Sequence, residues 1–480
     1  MNRLPANLNG FRIYMIGIKG TGMTALAEIL VARGASVSGS DFDEEFYTDA
    51  MLKKLGVTVL TPFSVNNLPD SVDLVVFSSA YGPENNVEMA EVLRRNVPKL
   101  SYNDALGQLS RASFSCGIAG VHGKTTTTAM VGTILKALNF NSTVLTGSII
   151  SSFGDSCTMI NGEKYFVAET CEYKRHFLKF TPGIIILTSV ESDHEDYYPT
   201  YEDILTAFLE YINKLPQFGE VFYCSDNQGA CDAVKFIFPS RPDLVLTGYG
   251  EKADGNFKIK YKGIKNEKQY FSLAGFAGEF SVSLPGKHNV LNAAAAIALC
   301  TTLLKIENNE ISINDIGIIR KAISSFKGVK RRSEIIGLVK NILIMDDYAH
   351  HPTAIKATLE GLKAFYPNRR IIVDFMSHTY SRTHALLDEF ASAFSQAHTV
   401  ILHKIYSSAR EVYTGNITGM TLYEETKKHN RRVHYFENPL DAKSFALKEL
   451  KSGDLFITMG AGDNWQLGKE IYSELKSGEN

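Results

Sequence analysis

Residues Gly117-Ile-Ala-Gly120-Val121-His122-Gly123-Lys124-Thr125-Thr126-Thr127-Thr128 constrain the fold of this chain more than any other stretch. They describe a phosphate cradle between a strand and a helix. An apolar, β-branched run leads in as the strand, and Ala129-Met130-Val131 opens the helix. Gly120 and Gly123 let the backbone turn back with its N–H groups inward, where the positive end of the helix also points. Lys124 can then reach the β- and γ-phosphates, and the Thr125 hydroxyl can sit on Mg²⁺. Gly120, Val121, His122, Gly123 and Thr126 supply the rest of the lining. The pattern is a shortened G-x-x-G-K-T, because Ile118 occupies the first glycine's place in the longer G-x-x-x-x-G-K-[ST] form. A glycine-rich turn before a threonine-rich helix is the plain alternative, and packing alone does not explain it. The expectation is an ATP-using α/β domain.

At 480 residues the chain exceeds one ordinary core, and about three domains are expected. Residues 11–106 alternate short strand-like runs (11–16, 36–40, 74–78) with helical stretches (23–33, 50–55). That alternation predicts a parallel, doubly wound sheet with ligands at the carboxyl ends of its strands. The turn after the first run is Gly17-Ile-Lys19-Gly20-Thr21-Gly22, and Asp41 ends the next strand. It reads as a diphosphate site with Lys19 as a built-in cation. A ligand-free turn and a nicotinamide site are the two alternatives.

A second α/β block starts near Ser113. Its apolar strands at 165–168 and 183–189 end on Glu169 and on Glu191-Ser-Asp193-His194. These carboxylates and His194 are candidate partners for Mg²⁺. Residues 251–284 are polar and β-prone, which predicts an antiparallel insertion or edge sheet, and the apolar stretch 293–304 predicts a buried helix. His288-Asn289-Val-Leu-Asn292 can cap that helix or offer amides to an adenine edge. A third α/β block follows Lys330-Arg331-Arg332, with strand-like runs at 342–345, 371–375, 400–403 and 455–459. Asp346-Asp347-Tyr348-Ala-His350-His351-Pro and His378-Thr-Tyr380-Ser-Arg382-Thr each end a strand and suit hydroxyl, phosphate or carboxylate contacts.

Composition excludes several classes. A net charge of −2 with no charged tail argues against a dedicated nucleic-acid binder. The six cysteines lack C-x-x-C spacing, which fits reduced thiols in the cytoplasm. The N-terminal residues show no secretory pattern, and no run of about 18 apolar residues predicts a membrane span.

Taken in order, these motifs resemble the Mur ligases of bacterial peptidoglycan synthesis, and among them the branch that adds L-alanine to UDP-N-acetylmuramate. The resemblance runs from Gly17 to Gly462. It rests on Gly-Val-His-Gly-Lys-Thr-Thr-Thr-Thr, Glu-x-Asp-His, His-Asn-x-x-Asn-Ala, Arg-Arg, Asp-Asp-Tyr-x-His-His-Pro-Thr, His-x-Tyr-Ser-Arg-Thr and Met-Gly-Ala-Gly-Asp. It implies a Rossmann-like UDP-sugar domain (1–107), a P-loop-type ATP domain with a mixed sheet (108–329) and a Rossmann-like amino-acid domain (330–480). Gly17, Lys19, Gly20, Thr21, Gly22 and Asp41 would then serve the UDP-sugar. Lys124 would hold the γ-phosphate, Thr125 and Glu169 one Mg²⁺, and His194 a second. His288 and Asn292 would contact adenine, Arg332 the transferring phosphate and Asp347 the ribose. Tyr348, His350, His378 and Arg382 would line the amino-acid pocket.

Three departures stand out. The family's Glu-Ala-Asp-Glu-Ser-Asp appears as Glu169-Thr-Cys171-Glu172-Tyr-Lys, and an arginine common after the third-domain histidine is Thr379. The span from Tyr197 to Asn213 has no lysine, so the carbamylated lysine of other Mur ligases has no counterpart there. The expected partners are UDP-N-acetylmuramate and L-alanine, with ATP and Mg²⁺, no nucleic acid and no membrane, in a monomer or homodimer. A ligase attaching a preformed tripeptide to the same nucleotide is the nearer rival. A nicotinamide oxidoreductase and a non-catalytic nucleotide-binding regulator are the distant ones.

Overall fold

A computed structural model describes residues 3–194, 197–407, 415 and 417–477. The chain divides into two compact units. The first comprises residues 1–261, 272–280 and 291–326, and the second residues 262–271, 281–290 and 327–480.

The first unit opens with a parallel sheet of β1 (Arg12–Ile16), β2 (Ser36–Ser40), β3 (Thr58–Leu60), β4 (Leu74–Phe77) and β5 (Lys99–Ser101), in the order β3-β2-β1-β4-β5. Alternate residues of β1 enter different cores. Ile13 and Met15 join the cluster of Leu26, Ile29 and Leu30, whereas Tyr14 and Ile16 pack with Val75, Met89 and Val92. A strand covered on both faces has no polar alternation, which is why β1 and β4 read as continuous apolar runs. Strand order reverses between β1 and β4, so the turn at Gly17 opens onto the crevice where such sheets take ligands.

The second sheet of this unit comprises β6 (Phe114–Ala119), β7 (Ser142–Ile150), β8 (Ser156–Ile160), β9 (Tyr165–Glu169), β10 (Ile184–Leu187), β11 (Glu220–Cys224) and β12 (Val245–Tyr249). Its order is β12-β11-β10-β6-β9-β7-β8, parallel except for the antiparallel pair β7 and β8. The mixed sheet is as expected. Register aligns the chemistry: Ile118 of β6 faces Glu169 of β9, and Ala119 faces Leu187 of β10. The cradle therefore emerges between two acidic strand ends. Within this unit the helix Thr21–Ala32 meets β8 through buried Glu28. That carboxylate accepts from Ser156 Oγ at 2.7 Å and Thr158 Oγ1 at 3.0 Å. The helix Tyr102–Arg111 links β5 to β6 and is capped by Ser101, which accepts from Asp104 N.

The polar β-prone stretch forms a small sheet of its own, β13 (Ile259–Lys265), β14 (Lys268–Leu273) and β15 (Phe280–Val282). Asn266 and Glu267 both take positive φ, the backbone of a tight hairpin turn between β13 and β14. The buried helix expected at 293–304 runs from Lys287 to Asn308. It is the one helix among the described residues long and apolar enough to cross a membrane, and its alanine face, with Leu299 and Leu303, is buried in the protein.

The second unit holds β16 (Glu334–Val339), β17 (Ile342–Asp347), β18 (Arg370–Met376), β19 (Thr399–Leu402), β20 (Val433–Tyr435) and β21 (Asp454–Gly460). The order is β16-β17-β21-β18-β19-β20, parallel except for the antiparallel edge pair β16 and β17. Strands absent from the sequence reading are short (β3, β5, β20), interrupted by serine and glycine (β7), edge strands (β8, β12, β16) or, in the interior strand β11, a five-residue run that opens on Glu220. Such segments lack a long apolar run, and only pairing with a neighbour makes them strands.

Candidate active site

The cradle needs its glycines. Gly123 caps the helix Lys124–Ala137 at φ +84°, and Gly120 has φ +133°. A Cβ on Gly120 would strike the Thr188 hydroxyl and approach Ser189 N to 2.7 Å. The loop is fastened to the segment after β10. Val121 N donates to Ser189 O at 3.1 Å, His122 N to Ser189 Oγ at 2.9 Å, and Thr188 Oγ1 to His122 O at 2.5 Å.

Lys124 folds back over this loop. Its Nζ donates to Gly120 O at 2.5 Å and to Glu172 Oε2 at 2.9 Å, and the Glu172 side chain is 2% exposed. Burial by itself lowers the ammonium's pKa and raises the carboxyl's. The attraction between the two outweighs burial, aided for Glu172 by His194, so Lys124 is held above its ordinary value and Glu172 below. Both are charged at neutral pH, and the lysine is positioned before any nucleotide arrives.

Two donor groups fit a divalent cation. In one, Thr125 Oγ1 donates to Glu169 Oε2 at 2.7 Å. In the other, Glu172, Asp193 and His194 offer ligand atoms within 4.8 Å of one another, with His194 Nε2 3.6 Å from Glu172 and 3.8 Å from Asp193. His194 takes φ +57°, and the ring of Tyr173 lies 4.7 Å from its imidazole. Carboxylate, hydroxyl and imidazole donors converging on a phosphate cradle suit Mg²⁺ or a similar ion. Sequence reasoning placed Glu169 with Thr125, which the structure brings together, and counted Asp193 among the candidate carboxylates, but it gave no role to Glu172. The spacing Glu169-x-x-Glu172 at a strand end was the available signal.

The remaining candidates fall as follows. Asn292 Oδ1 accepts from Thr127 Oγ1 at 3.2 Å and lies 2.7 Å from where a Cβ on Gly123 would stand, so its amide braces the cradle. In the turn after β1, Gly17 has φ +81°, and Asp41 accepts from the amides of Lys19 (2.7 Å) and Phe42 (2.9 Å). Asp41 is thus a buried brace of this turn, its pKa raised by burial. The ammonium of Lys19 donates to Glu44 O at 2.8 Å and lies 3.5 Å from Asp49. It is engaged inside the domain instead of standing over Gly20–Gly22 as a free cation. Thr21 pairs with the Tyr47 hydroxyl, and the Tyr102 ring lies against Gly22.

In the second unit, Arg331 takes φ +62° and donates to Asp346 at 3.1 Å and to Gly460 O at 2.9 Å. Its neighbour Arg332, the sequence's candidate, lies with its guanidinium 5.0 Å from the Tyr348 ring centre. Asp347 accepts from Ser333 N at 2.7 Å and Ala349 N at 2.8 Å. His288 has its pKa lowered by burial, with Asp347 opposing. Tyr348, His350 and His378 form a chain of rings, with centres 5.1 Å apart for the first pair and 6.2 Å for the second, and Tyr406 stacks beyond His378 at 6.1 Å. Thr379, at φ +69°, turns the chain into the helix Tyr380–Ala385, which carries Arg382.

Family models match three consecutive segments: the Mur ligase family catalytic domain over residues 12–114, the Mur ligase middle domain over 118–300 and the Mur ligase glutamate ligase domain over 331–462. The chain belongs to the Mur ligase family. It is 57% identical over 473 residues to the UDP-N-acetylmuramate–L-alanine ligase of Treponema pallidum (strain Nichols), covering 98% of each chain. It is 40% identical over 461 residues to the enzyme of that name from Borrelia garinii, covering 95% of this chain and 97% of the other. Among solved structures, the UDP-N-acetylmuramate-alanine ligase of Thermotoga maritima superimposes with a TM-score of 0.78 at 26% identity, covering 97% of this chain and 99% of that one. The three-domain architecture of a Mur ligase is therefore that of this chain. The segment 12–114 lies in the first compact unit, as does the middle segment 118–300 apart from residues 262–271 and 281–290.

Proposed function

We propose that this chain joins L-alanine to the lactyl carboxylate of UDP-N-acetylmuramate with ATP, in peptidoglycan precursor synthesis. The observation that carries the reading is the buried Lys124–Glu172 pair, preset in the cradle beside Glu169, in a chain so similar to ligases of that name. ATP's γ-phosphoryl passes to the carboxylate, and the amine of alanine then attacks the resulting acyl phosphate. Lys124 meets the charge that gathers on the transferring group, and the backbone N–H groups at the helix start, Gly123–Thr125, orient it. Mg²⁺, held by Thr125 with Glu169 and by His194 with its two carboxylates, supplies further charge neutralisation when bound. The Lys124 ammonium holds the Glu172 carboxylate at 2.9 Å, and Asp193 accepts from His194 N at 2.7 Å. Arg332, with His288, Asn292 and Asp347, serves the nucleotide, and Tyr348, His350, His378 and Arg382 the amino acid. The functional domains run over 1–107, 108–329 and 330–480. The enzyme works in the cytoplasm as a monomer or homodimer, without nucleic acid or membrane.

The test is ADP and phosphate release from ATP, Mg²⁺ and UDP-N-acetylmuramate across alanine, glycine, serine and a murein tripeptide. Turnover with alanine is expected. Turnover with the tripeptide alone would support the recycling ligase, and absence of ADP with every acceptor would end the ligase reading.

A further inference from the structure

The helix Tyr102–Arg111 begins where the first sheet hands over to the second, and its first residue points back at the turn after β1. The Tyr102 ring is half-buried against the Cα of Gly22. A Cβ there would come within 2.9 Å of its Cζ and 3.0 Å of its hydroxyl oxygen. This is why position 22 is glycine although the residue has ordinary helical backbone and needs no positive φ. The phenol thus overlies the first turn of the helix Thr21–Ala32, whose free N–H groups face the crevice. On its other side stands the second sheet. The charge of Glu169 at the end of β9 reaches the hydroxyl, as do the thiols of Cys171 and Cys157. Burial first, and these neighbours second, hold the phenol's pKa well above its ordinary value. Tyr102 is therefore a neutral donor at every working pH. None of its interactions satisfies that hydroxyl with a hydrogen bond from the described protein.

The hydroxyl thus lies against the Gly20–Gly22 turn and within electrostatic reach of Glu169 at the end of β9. We propose that Tyr102 is a substrate-binding residue whose O–H donates a hydrogen bond to an anionic oxygen of the sugar nucleotide. The inference rests on the UDP-N-acetylmuramate reading above. The oxygen belongs either to the diphosphate or to the lactyl carboxylate, and the same chemistry serves both. A phenol gives this contact direction without adding charge, so offsetting the negative charge that develops in phosphoryl transfer is left to Lys124 and to the metal that the carboxylates would hold.

Calorimetric titration of wild type and Tyr102→Phe with UDP-N-acetylmuramate and with UDP-N-acetylglucosamine, which lacks the lactyl group, tests this. Loss of one hydrogen bond to a charged acceptor is expected to weaken UDP-N-acetylmuramate binding by about tenfold or more. KM for that substrate should rise in step, with KM for ATP and Tm unchanged, because phenylalanine keeps the packing against Gly22. Equal weakening for both nucleotides assigns the diphosphate, and weakening for UDP-N-acetylmuramate alone assigns the carboxylate. Wild-type affinity of Tyr102→Phe for both, or a loss confined to Tm, overturns the inference while the functional reading stands. A wild-type chain that binds neither nucleotide overturns the reading itself and the inference with it.

Discussion

Lys124 and Glu172 show how one residue pair combines stability and function. Glu172 is almost fully enclosed, so removing its ammonium partner leaves a buried carboxylate uncompensated, a change that costs roughly 3–5 kcal/mol. Lys124→Ala is expected to abolish ADP formation and lower Tm, while leaving UDP-N-acetylmuramate affinity in calorimetry within about twofold of wild type. The double variant Lys124→Ala/Glu172→Gln should recover much of the Tm and none of the turnover, because the two effects have separate causes. Loss of sugar-nucleotide binding in the single variant would contradict the division of labour between the two sheets. Gly147 of β7 gives a second case. A Cβ there would run into the Glu169 carboxylate. Gly147→Ala should push that carboxylate off Thr125 and raise the Mg²⁺ needed for half-maximal activity by about tenfold. A Mg²⁺ titration that superimposes on wild type would show that Glu169 holds no metal.

Elements converge at the carboxyl ends of β18, β19 and β21, where a polar knot is sealed. His403 Nε2 meets Asp374 Oδ2 at 2.6 Å, His403 Nδ1 meets Phe436 O at 2.9 Å, and Asn464 Nδ2 donates to Asp374 Oδ1 at 2.8 Å. With both ring nitrogens facing acceptors, the imidazole is a double donor and hence a cation. Burial would lower its pKa, but the charge of Asp374 and these hydrogen bonds more than offset that, and the value is raised. A histidine whose folded pKa exceeds its unfolded value contributes stability fully present below about 6.5 and lost as pH rises through the folded pKa. Denaturant unfolding should therefore show the wild-type advantage over His403→Gln largest near pH 6 and shrinking toward pH 9. A gap independent of pH would mean that the imidazole is neutral in the fold. The knot sits under the segments that carry His378 and Tyr406, so the variant should also raise KM for the amino acid more than KM for ATP.

For the whole molecule, the division into two compact units makes ligand linkage informative. The Gly17–Gly22 turn and the cradle both belong to the first unit. A ligand at 100 times its Kd adds ~2.7 kcal/mol to whatever unfolds with its site. Scanning calorimetry is expected to show UDP-N-acetylmuramate moving the transition of that unit upward, with NADH at the same concentration moving nothing. A shift by NADH would revive the nicotinamide reading of the β1 turn. The chemistry also requires that water be kept from the acyl phosphate, and hydroxylamine trapping should capture far less of it with alanine present than without.

Much of the site was legible because strand ends announce themselves. Gly120, Gly123, Lys124 and Thr125 are ordered by a backbone turn and a helix terminus, both local in sequence, and the apolar runs of β1, β6, β10 and β18 mark strands buried on both faces. The partners of those groups were not legible. Glu172, rather than a loop carboxylate of no consequence, became the counter-ion of Lys124 because β9 lies beside β6 in one register. Lys19, placed by its motif over a diphosphate, found Glu44 and Asp49 closer. Arg331 and Arg332 are adjacent in the chain and each lies 5.0 Å from the Tyr348 ring centre, yet Arg331 is tied to Asp346 as well. Local turns, helix starts and burial follow from spacing along the chain, so the amino-acid order alone determines them. Which charge meets which, and which hydroxyl is left to meet a ligand, depends on contacts between residues far apart in sequence, and only the folded arrangement of sheets decides those.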